Sequence, residues 1–364
     1  MIVITDFTLY ITTVKQSFLL YGANGYTGQL IAKLAKSYGL SPILSGRNEA
    51  KIRPLALELK LPYRIIDLND TEKLHRILSE VKVVLHTAGP FKHTAKQMIE
   101  ACLATNTHYL DITGEIDVFE MAKNYHEEAL IKNITIMPGV GFDVVPTDCM
   151  ALFLKNKLPD ANKLKLAFAS IGGGYSHGTS ITMAEGLGEG SAVRENAKII
   201  STPLGHKGRW IDFGIKKLFV MTIPWGDVST AFHTTGIPNI ETYTGASPKT
   251  FKILKYQHLY NWLLKTSLVR NYVKRKINAK PAGPNDEMRL KSKSLVWGEV
   301  ENLDCQIIQA RFTGPEGYTL TAHSSLIITK KIMNDDIKIG YQTPAGAYGE
   351  DLVLEIPDTH RELI

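Results

Sequence analysis

The stretch Tyr21-Gly-Ala-Asn-Gly-Tyr-Thr-Gly28 constrains this chain more than any other. It places three glycines three residues apart between the apolar run Ser17–Gly22 and a helix-period segment from Thr27 to Tyr38, in which Leu30, Ile31, Leu34 and Ala35 share one face. Glycine here permits a tight turn, close approach of backbone to a pyrophosphate, and close packing of helix on strand. The helix start then offers free N–H groups to the phosphates. Gly22, Ala23, Asn24, Gly25, Tyr26, Thr27 and Gly28 are therefore expected to cradle a dinucleotide.

The rhythm that follows supports this. Apolar runs at Pro42–Gly46, Tyr63–Asp67, Val81–Gly89, His108–Ile112 and Ile134–Gly139 alternate with helix-period segments at 50–61, 71–79, 93–105 and 115–132. Six short strands with intervening helices predict an α/β fold, a doubly wound parallel (Rossmann) sheet in the order 3-2-1-4-5-6. From about Leu164 the rhythm changes. Strand-like runs begin at Lys163, Leu218, Ser294, Cys305, Tyr318 and Leu352, with helical stretches near Thr182–Ile200 and Lys249–Ile277. They predict a second, α+β domain on a larger mixed or antiparallel sheet. The expected division is 16–148 for the dinucleotide domain, 149–340 for a substrate or lid domain, and 341–364 for a C-terminal segment returning to the first.

At the end of strand two, where a site selective for NAD carries an acid for the ribose 2′-hydroxyl, the chain reads Ser45-Gly46-Arg47-Asn48. A guanidinium offers a bidentate fork to a 2′-phosphate, so Arg47 turns the site toward NADP. Lys51 and Arg53 stand close enough in sequence to assist, and Glu49 counts the other way. Asp67, ending strand three, suits either the adenine amino group or a helix cap. Thr87, Ala88, Gly89 and Pro90 end strand four, where backbone passes the nicotinamide ribose; a plain turn is the alternative.

Composition narrows the class. The 364 residues are 44% hydrophobic, and no apolar run approaches the length of a membrane span. Met1 to Lys15 lack the pattern of a secretory signal and precede the first strand, as an over-long start or an extra strand. Cys102, Cys149 and Cys305 form no CxxC pair, which fits a reducing, cytoplasmic compartment and no metal site. The net charge is +6, yet Lys249–Lys280 alone carries nine Lys/Arg and no Asp/Glu, leaving the remainder at −3. Cations interleaved with aromatic and aliphatic residues there suit an anionic membrane or lipid surface, an acidic acyl-carrier protein, or a merely solvated helix. Nothing accompanies them that would suit nucleic acid, and an oligomer is compatible with the chain.

The segments YGANGYTG, SGRN, HTAGPF, YLDITGE and GVGFDVVPTD together resemble the saccharopine dehydrogenase-like oxidoreductases, in the branch that contains the trans-acting enoyl reductases. The similarity is clear over the first 150 residues and extends through Pro224–Pro238 and Gln342–Ile356. It implies NADP bound by the first domain, a second domain over the nicotinamide, and hydride transfer. It carries over no substrate: some members act on an amino-acid imine, and the enoyl reductases saturate a carbon-carbon double bond on a lipid-like chain.

A proton donor is expected at the carboxyl ends of strands, where such sheets bind ligands. Tyr109 and Asp111 lead, with Thr113 and Glu115 beside them and Asp143 and Asp148 after strand six; helix capping is the alternative for Asp111 and Asp148. The Tyr-x-x-x-Lys of short-chain dehydrogenases is missing after strand five, its one occurrence being Tyr272–Lys276 in the basic segment. From the second domain, His177 in the glycine-rich loop Gly172–Ser180 and Trp225, His233 and Thr235 are candidate substrate contacts, with a flexible connection and a core histidine on an apolar strand as alternatives. The sequence thus points to an NADPH-dependent reductase of a hydrophobic, lipid- or polyketide-type enoyl or carbonyl substrate. An amino-acid imine reductase is the runner-up, and a non-catalytic NADP-bound lipid-surface protein the third choice.

Overall fold

The computed structural model describes residues 17–279 and 281–364; the expectation about Met1 to Lys15 lies outside the described residues. The chain first runs β1 (Phe18–Tyr21), α1 (Tyr26–Leu34), β2 (Pro42–Gly46), α2 (Glu49–Leu59), β3 (Tyr63–Ile65), α3 (Thr71–Ser79), β4 (Val83–His86), α4 (Ala95–Thr105), β5 (His108–Asp111), α5 (Ile116–Lys123), α6 (His126–Lys132) and β6 (Thr135–Met137). These six strands are parallel and ordered 3-2-1-4-5-6, as the alternating runs predict. β1, β4, β5 and β6 are buried at every residue, as strands covered on both faces must be.

Then come α7 (Val145–Lys157), β7 (Lys163–Ile171), α8 (His177–Glu185), β8 (Ser191–Glu195), β9 (Lys198–Thr202), β10 (Gly208–Asp212), β11 (Lys217–Thr222), α9 (Asp227–Thr235) and β12 (Asn239–Gly245). The helices α10 (Pro248–Lys255), α11 (Asn261–Leu264), α12 (Ser267–Asn278) and α13 (Asp286–Lys291) follow. The chain closes with β13 (Lys293–Glu301), β14 (Ile307–Pro315), α14 (Gly317–Met333), β15 (Gly340–Tyr341), α15 (Pro344–Tyr348) and β16 (His360–Leu363). The second sheet runs β10-β11-β12-β7-β13-β14-β16, with β8 and β9 hanging off β12. It is mixed, because β7 and β12 run parallel while its other pairs are antiparallel.

The two sheets share helices. α14 packs on α1 and β4, and α7 packs on β13. Leu20 and Leu85 of the first sheet, Met150 and Leu154 of α7, Val296 and Val300 of β13, and Leu326 and Ile328 of α14 belong to one continuous apolar core. The sequence division at 148/149 falls inside α7. β15 extends the first sheet beside β6, whereas β16 extends the second beside β14.

Four local expectations are corrected. The run from Tyr318 is not a strand but most of α14, buried on several faces; that erases the 3.6-residue alternation a surface helix shows. His233 lies on helix α9 rather than on an apolar strand, because Asp227 to Thr235 is bounded by Gly226 and a left-handed Gly236. The helical stretch to Ile200 stops at Glu185, and 191–202 is the β8–β9 hairpin. Its two loop residues, Asn196 and Ala197, both have positive φ, the signature of a tight hairpin turn. Leu352–Glu355 is one 3-10 turn, not a strand.

Candidate functional site

The expected dinucleotide residues converge at the carboxyl edge of the first sheet. Gly22 and Ala23 donate their N–H groups to Ser45 O at 2.8 and 3.0 Å, and Thr87 N and Oγ1 both donate to Tyr21 O at 2.8 and 2.9 Å. The ends of β1, β2 and β4 are thereby held together. Gly22 has φ +87°, and a Cβ there would lie 2.8 Å from Ala88 N; a Cβ on Gly28 would lie 2.4 Å from Gly22 O. Both collisions are with backbone, so the turn requires glycine at both places.

The cofactor fit can be judged from the helix start. Asn48, Asp70, Ser176 and Ser247 cap α2, α3, α8 and α10 with their side chains; α1 begins at Gly25 with no side-chain cap, and α4, α5, α6, α7 and α9 also lack one. Among the described residues the N–H groups of Tyr26, Thr27 and Gly28 have no protein acceptor, as a pyrophosphate site needs. Arg47 is exposed just past β2, and Asp67 just past β3. Both act on Tyr21, whose hydroxyl is pushed up to about 12 by burial and then by Asp67, with Arg47 opposing; guanidinium and carboxylate thus flank one edge of the site. Asp67 accepts from Asn69 N, and Asp70 rather than Asp67 caps α3. Thr94 Oγ1 donates to Ala88 O at 2.9 Å, and the Gly89-Pro90 bond is cis. Tyr26 is engaged elsewhere: its hydroxyl donates to Pro284 O at 2.5 Å and accepts from Arg289 at 3.0 Å, so the segment before α13 lies across the turn.

Tyr109 and Asp111 sit inside the molecule. Both are fully buried; the Tyr109 hydroxyl donates to Asp111 Oδ2 at 2.6 Å, and Asp111 Oδ1 accepts from Thr113 N and Gly139 N at 2.9 Å each. Burial lifts the Asp111 carboxyl to about 6 against the pull of these donors, and lifts the Tyr109 hydroxyl well above its usual range. Asp111 thus ties the loop after β5 to the loop after β6. Glu115 works similarly outside, accepting from Phe91 N and Lys92 N at 2.8 and 3.0 Å. Asp148 is also buried, accepting from Thr234 Oγ1 and Ala345 N at 2.6 and 2.9 Å.

Asp143 differs. It stands after β6, where the chain meets Trp225, and no hydrogen bond lowers its carboxyl, which burial and then Glu115 push up to about 7. A Cβ on Gly114 would lie 2.7 Å from its Oδ2. Trp225 Nε1 donates to Asp143 O at 2.8 Å, the Trp225 and Phe168 rings lie tilted by 40° with centroids 4.5 Å apart, and Phe168 meets Phe142 edge-on at 5.8 Å. Half-buried Phe142, Phe168 and Trp225 therefore form an aromatic wall beside a carboxyl poised near neutrality.

The glycine-rich loop is held by Tyr318, whose hydroxyl accepts from Ser176 N at 2.7 Å and lies 2.9 Å from Thr179 Oγ1. The Tyr318 ring meets that of Tyr26 edge-on at 5.0 Å. His177 opens α8, with its N–H on Ala282 O, while His233 packs edge-on against Tyr341 of β15 at 4.9 Å, and Thr235 Oγ1 donates to Ala231 O within α9. Phe142, Phe168 and Tyr318 escaped the sequence analysis because no local pattern marks them. Contact across two sheets brings them together.

An uncapped helix after a glycine turn, on a 3-2-1-4-5-6 sheet, defines a dinucleotide-binding protein. Residues 18–137 match the saccharopine dehydrogenase NADP binding domain, so this part of the chain is an NADP-binding domain. The chain is 26% identical over 250 residues to the saccharopine dehydrogenase-like oxidoreductase of Bos taurus, covering 59% of this chain and 58% of that one. It is 30% identical over 203 residues to a putative trans-acting enoyl reductase of Mycobacterium tuberculosis, covering 51% and 47%. A relative from Arabidopsis thaliana, 28% identical over 152 residues (37% and 34% of the two chains), is named a probable mitochondrial saccharopine dehydrogenase-like oxidoreductase. The chain thus spans well under two thirds of the length of these curated relatives. In fold it resembles the apo saccharopine dehydrogenase (L-Glu forming) of Saccharomyces cerevisiae, with a TM-score of 0.67 at 12% identity over 96% of this chain and 100% of that one. No helix among the described residues is long and apolar enough to cross a membrane.

Proposed function

We propose that the protein is an NADPH-dependent reductase of a hydrophobic, lipid- or polyketide-type enoyl or carbonyl substrate, with Asp143 as the proton donor. Bound at the glycine turn, with Arg47 on its 2′-phosphate, the cofactor supplies a hydride. This chain's residues do the rest. The wall of Phe142, Phe168 and Trp225 holds an apolar acceptor and excludes water, and the protonated Asp143 carboxyl neutralises the charge that hydride addition leaves on the substrate, then regains its proton from solvent. Tyr109 and Asp111, the donors suggested by sequence, hold the loops that carry Asp143.

The observation that carries this reading is the pairing of a buried carboxyl raised to about 7 with the aromatic wall of Phe142, Phe168 and Trp225 beside it. It also favours an uncharged acceptor over a dicarboxylic amino-acid imine, which needs free cations. Lys92, the nearest sequence candidate, is already paired with Glu185 at 2.7 Å, and the other charge beside Asp143 is that of Glu115. The test is NADPH oxidation by purified protein across unsaturated acyl thioesters, ketones, quinones and cyclic imines. Turnover confined to imines would transfer the assignment to the amino-acid reductases, and tight NADPH binding without turnover on any acceptor would leave a non-catalytic NADP protein.

A further inference from the structure

We infer that the helical excursion from α10 to α12 is a docking face for an anionic phospholipid bilayer. Three of its cations are already paired. Lys265 and Arg270 pair with Glu189 at 3.2 and 3.0 Å, and Lys274 pairs with Glu185 at 2.9 Å. The outward cations, Lys249, Lys252, Arg275 and Lys276, are exposed and have no carboxylate partner among the described residues.

On α12 the division follows the helical repeat. Val269, Arg270, Val273, Lys274 and Ile277 are half-buried toward α8, while Leu268, Tyr272, Arg275 and Lys276, at i, i+4, i+7 and i+8, face solvent. The exposed face is thus apolar and cationic together. Leu268 on this face is 82% exposed, and the preceding turns continue it: Ile253 is 65% exposed, Leu259 66% and Trp262 73%. Beside them, a hollow of about 460 Å³ between α10 and the β10–β11 hairpin is lined by Phe219, Phe251 and Tyr256, with Lys252 at its edge.

Tryptophan and tyrosine among leucines and unpaired cations, on helices too short to span, match the chemistry of the headgroup boundary. Apolar side chains enter the acyl region, indole and phenol rings sit at headgroup level, and cations meet lipid phosphate. An acidic carrier protein would satisfy the cations but leave Leu259, Trp262 and Leu268 without a function. The inference stands apart from the proposed reaction, since it uses none of the residues placed at the cofactor or beside Asp143.

The test is co-sedimentation of the full chain with vesicles of phosphatidylcholine alone and with vesicles that also contain phosphatidylglycerol, with NADPH binding measured on the same samples. The wild-type chain should partition onto the anionic vesicles, weakly onto the neutral ones, and less as salt is raised. The double variant Arg275→Gln, Lys276→Gln should bind the anionic vesicles about thirty-fold more weakly, at roughly 1 kcal/mol for each cation near the surface. Trp262→Ala with Leu259→Ala should lose about as much, and every variant should keep the wild-type NADPH affinity and circular dichroism. Equal partition onto both vesicle types, no partition onto either, or indifference to both double variants overturns the inference. So does binding to an acidic acyl-carrier protein without binding to vesicles.

Discussion

Two residues carry opposite signatures of function. Arg47 is exposed and free to receive a doubly charged phosphate, so Arg47→Ala should weaken NADPH binding by about 2 kcal/mol, some thirty-fold, and leave NADH binding nearly unchanged; paired fluorescence titrations check this, and equal losses would remove the 2′-phosphate role. The role proposed for Asp143 rests on its proton. Its carboxyl is raised from 3.8 to about 7, so kcat should hold below pH 7 and fall as the pH rises through 7. Asp143→Asn should cost about 10² to 10⁴ in kcat, whereas Tyr109→Phe should keep both kcat, within a few-fold, and the pH profile. The same raised pKa has a sign for stability: the folded state binds this proton more tightly than the unfolded state, so its stabilising contribution is complete below about pH 4 and is lost as the pH rises through 7. Asp143→Asn should therefore raise the melting temperature relative to wild type at pH 8 and not at pH 4.

At the scale of elements, the β1–α1 turn was legible because its constraint is local. Glycine spacing, strand and helix all lie within 20 residues, and the collisions a side chain would meet at Gly22 and Gly28 involve backbone of the turn and of the adjoining β4 exit. Gly28→Ala should destabilise the fold by about 1 to 3 kcal/mol and abolish NADPH binding, measured by denaturant titration and calorimetry; retention of wild-type affinity would mean that the turn tolerates a Cβ. α9 and α14 were not legible. Both are buried among other elements, so their polar and apolar residues follow what each touches rather than a single outward face. Thr321 and Ser324 of α14, for example, bond to Phe142 N and Val140 O of the loop after β6, which a periodicity cannot foresee.

The whole molecule depends on how its two sheets are tied. Glu185 of α8 meets Lys92 of the first sheet's loop at 2.7 Å and Lys274 of α12 at 2.9 Å. Burial opposes ionisation of this carboxyl, but the two lysines hold it at about 2. The contribution of this latch is therefore present above about pH 4.5 and lost only as the pH falls through 2. Glu185→Gln should leave NADPH bound at the glycine turn while raising amide hydrogen exchange in α8, α12 and the loop after β4. Unchanged exchange in all three would show that the apolar core shared through α7 and α14 holds the sheets without help.

The sequence by itself determined the parallel six-stranded sheet and the dinucleotide turn, because each rests on interactions among residues close along the chain or repeated at a strand-helix period, and it pointed to NADP, which the domain match bears out. It also located the unusual concentration of cations between Lys249 and Lys280. Only the tertiary structure decided that Asp111 is a buried tie, that Asp143 has a buried carboxyl with no hydrogen bond to lower it, that Phe142, Phe168 and Trp225 pack together beside it, and that Tyr318 meets Tyr26. Their partners come from elements up to 292 residues apart in the chain. A pKa and a pocket are properties of what surrounds a side chain, and that surrounding exists only once the two sheets have packed.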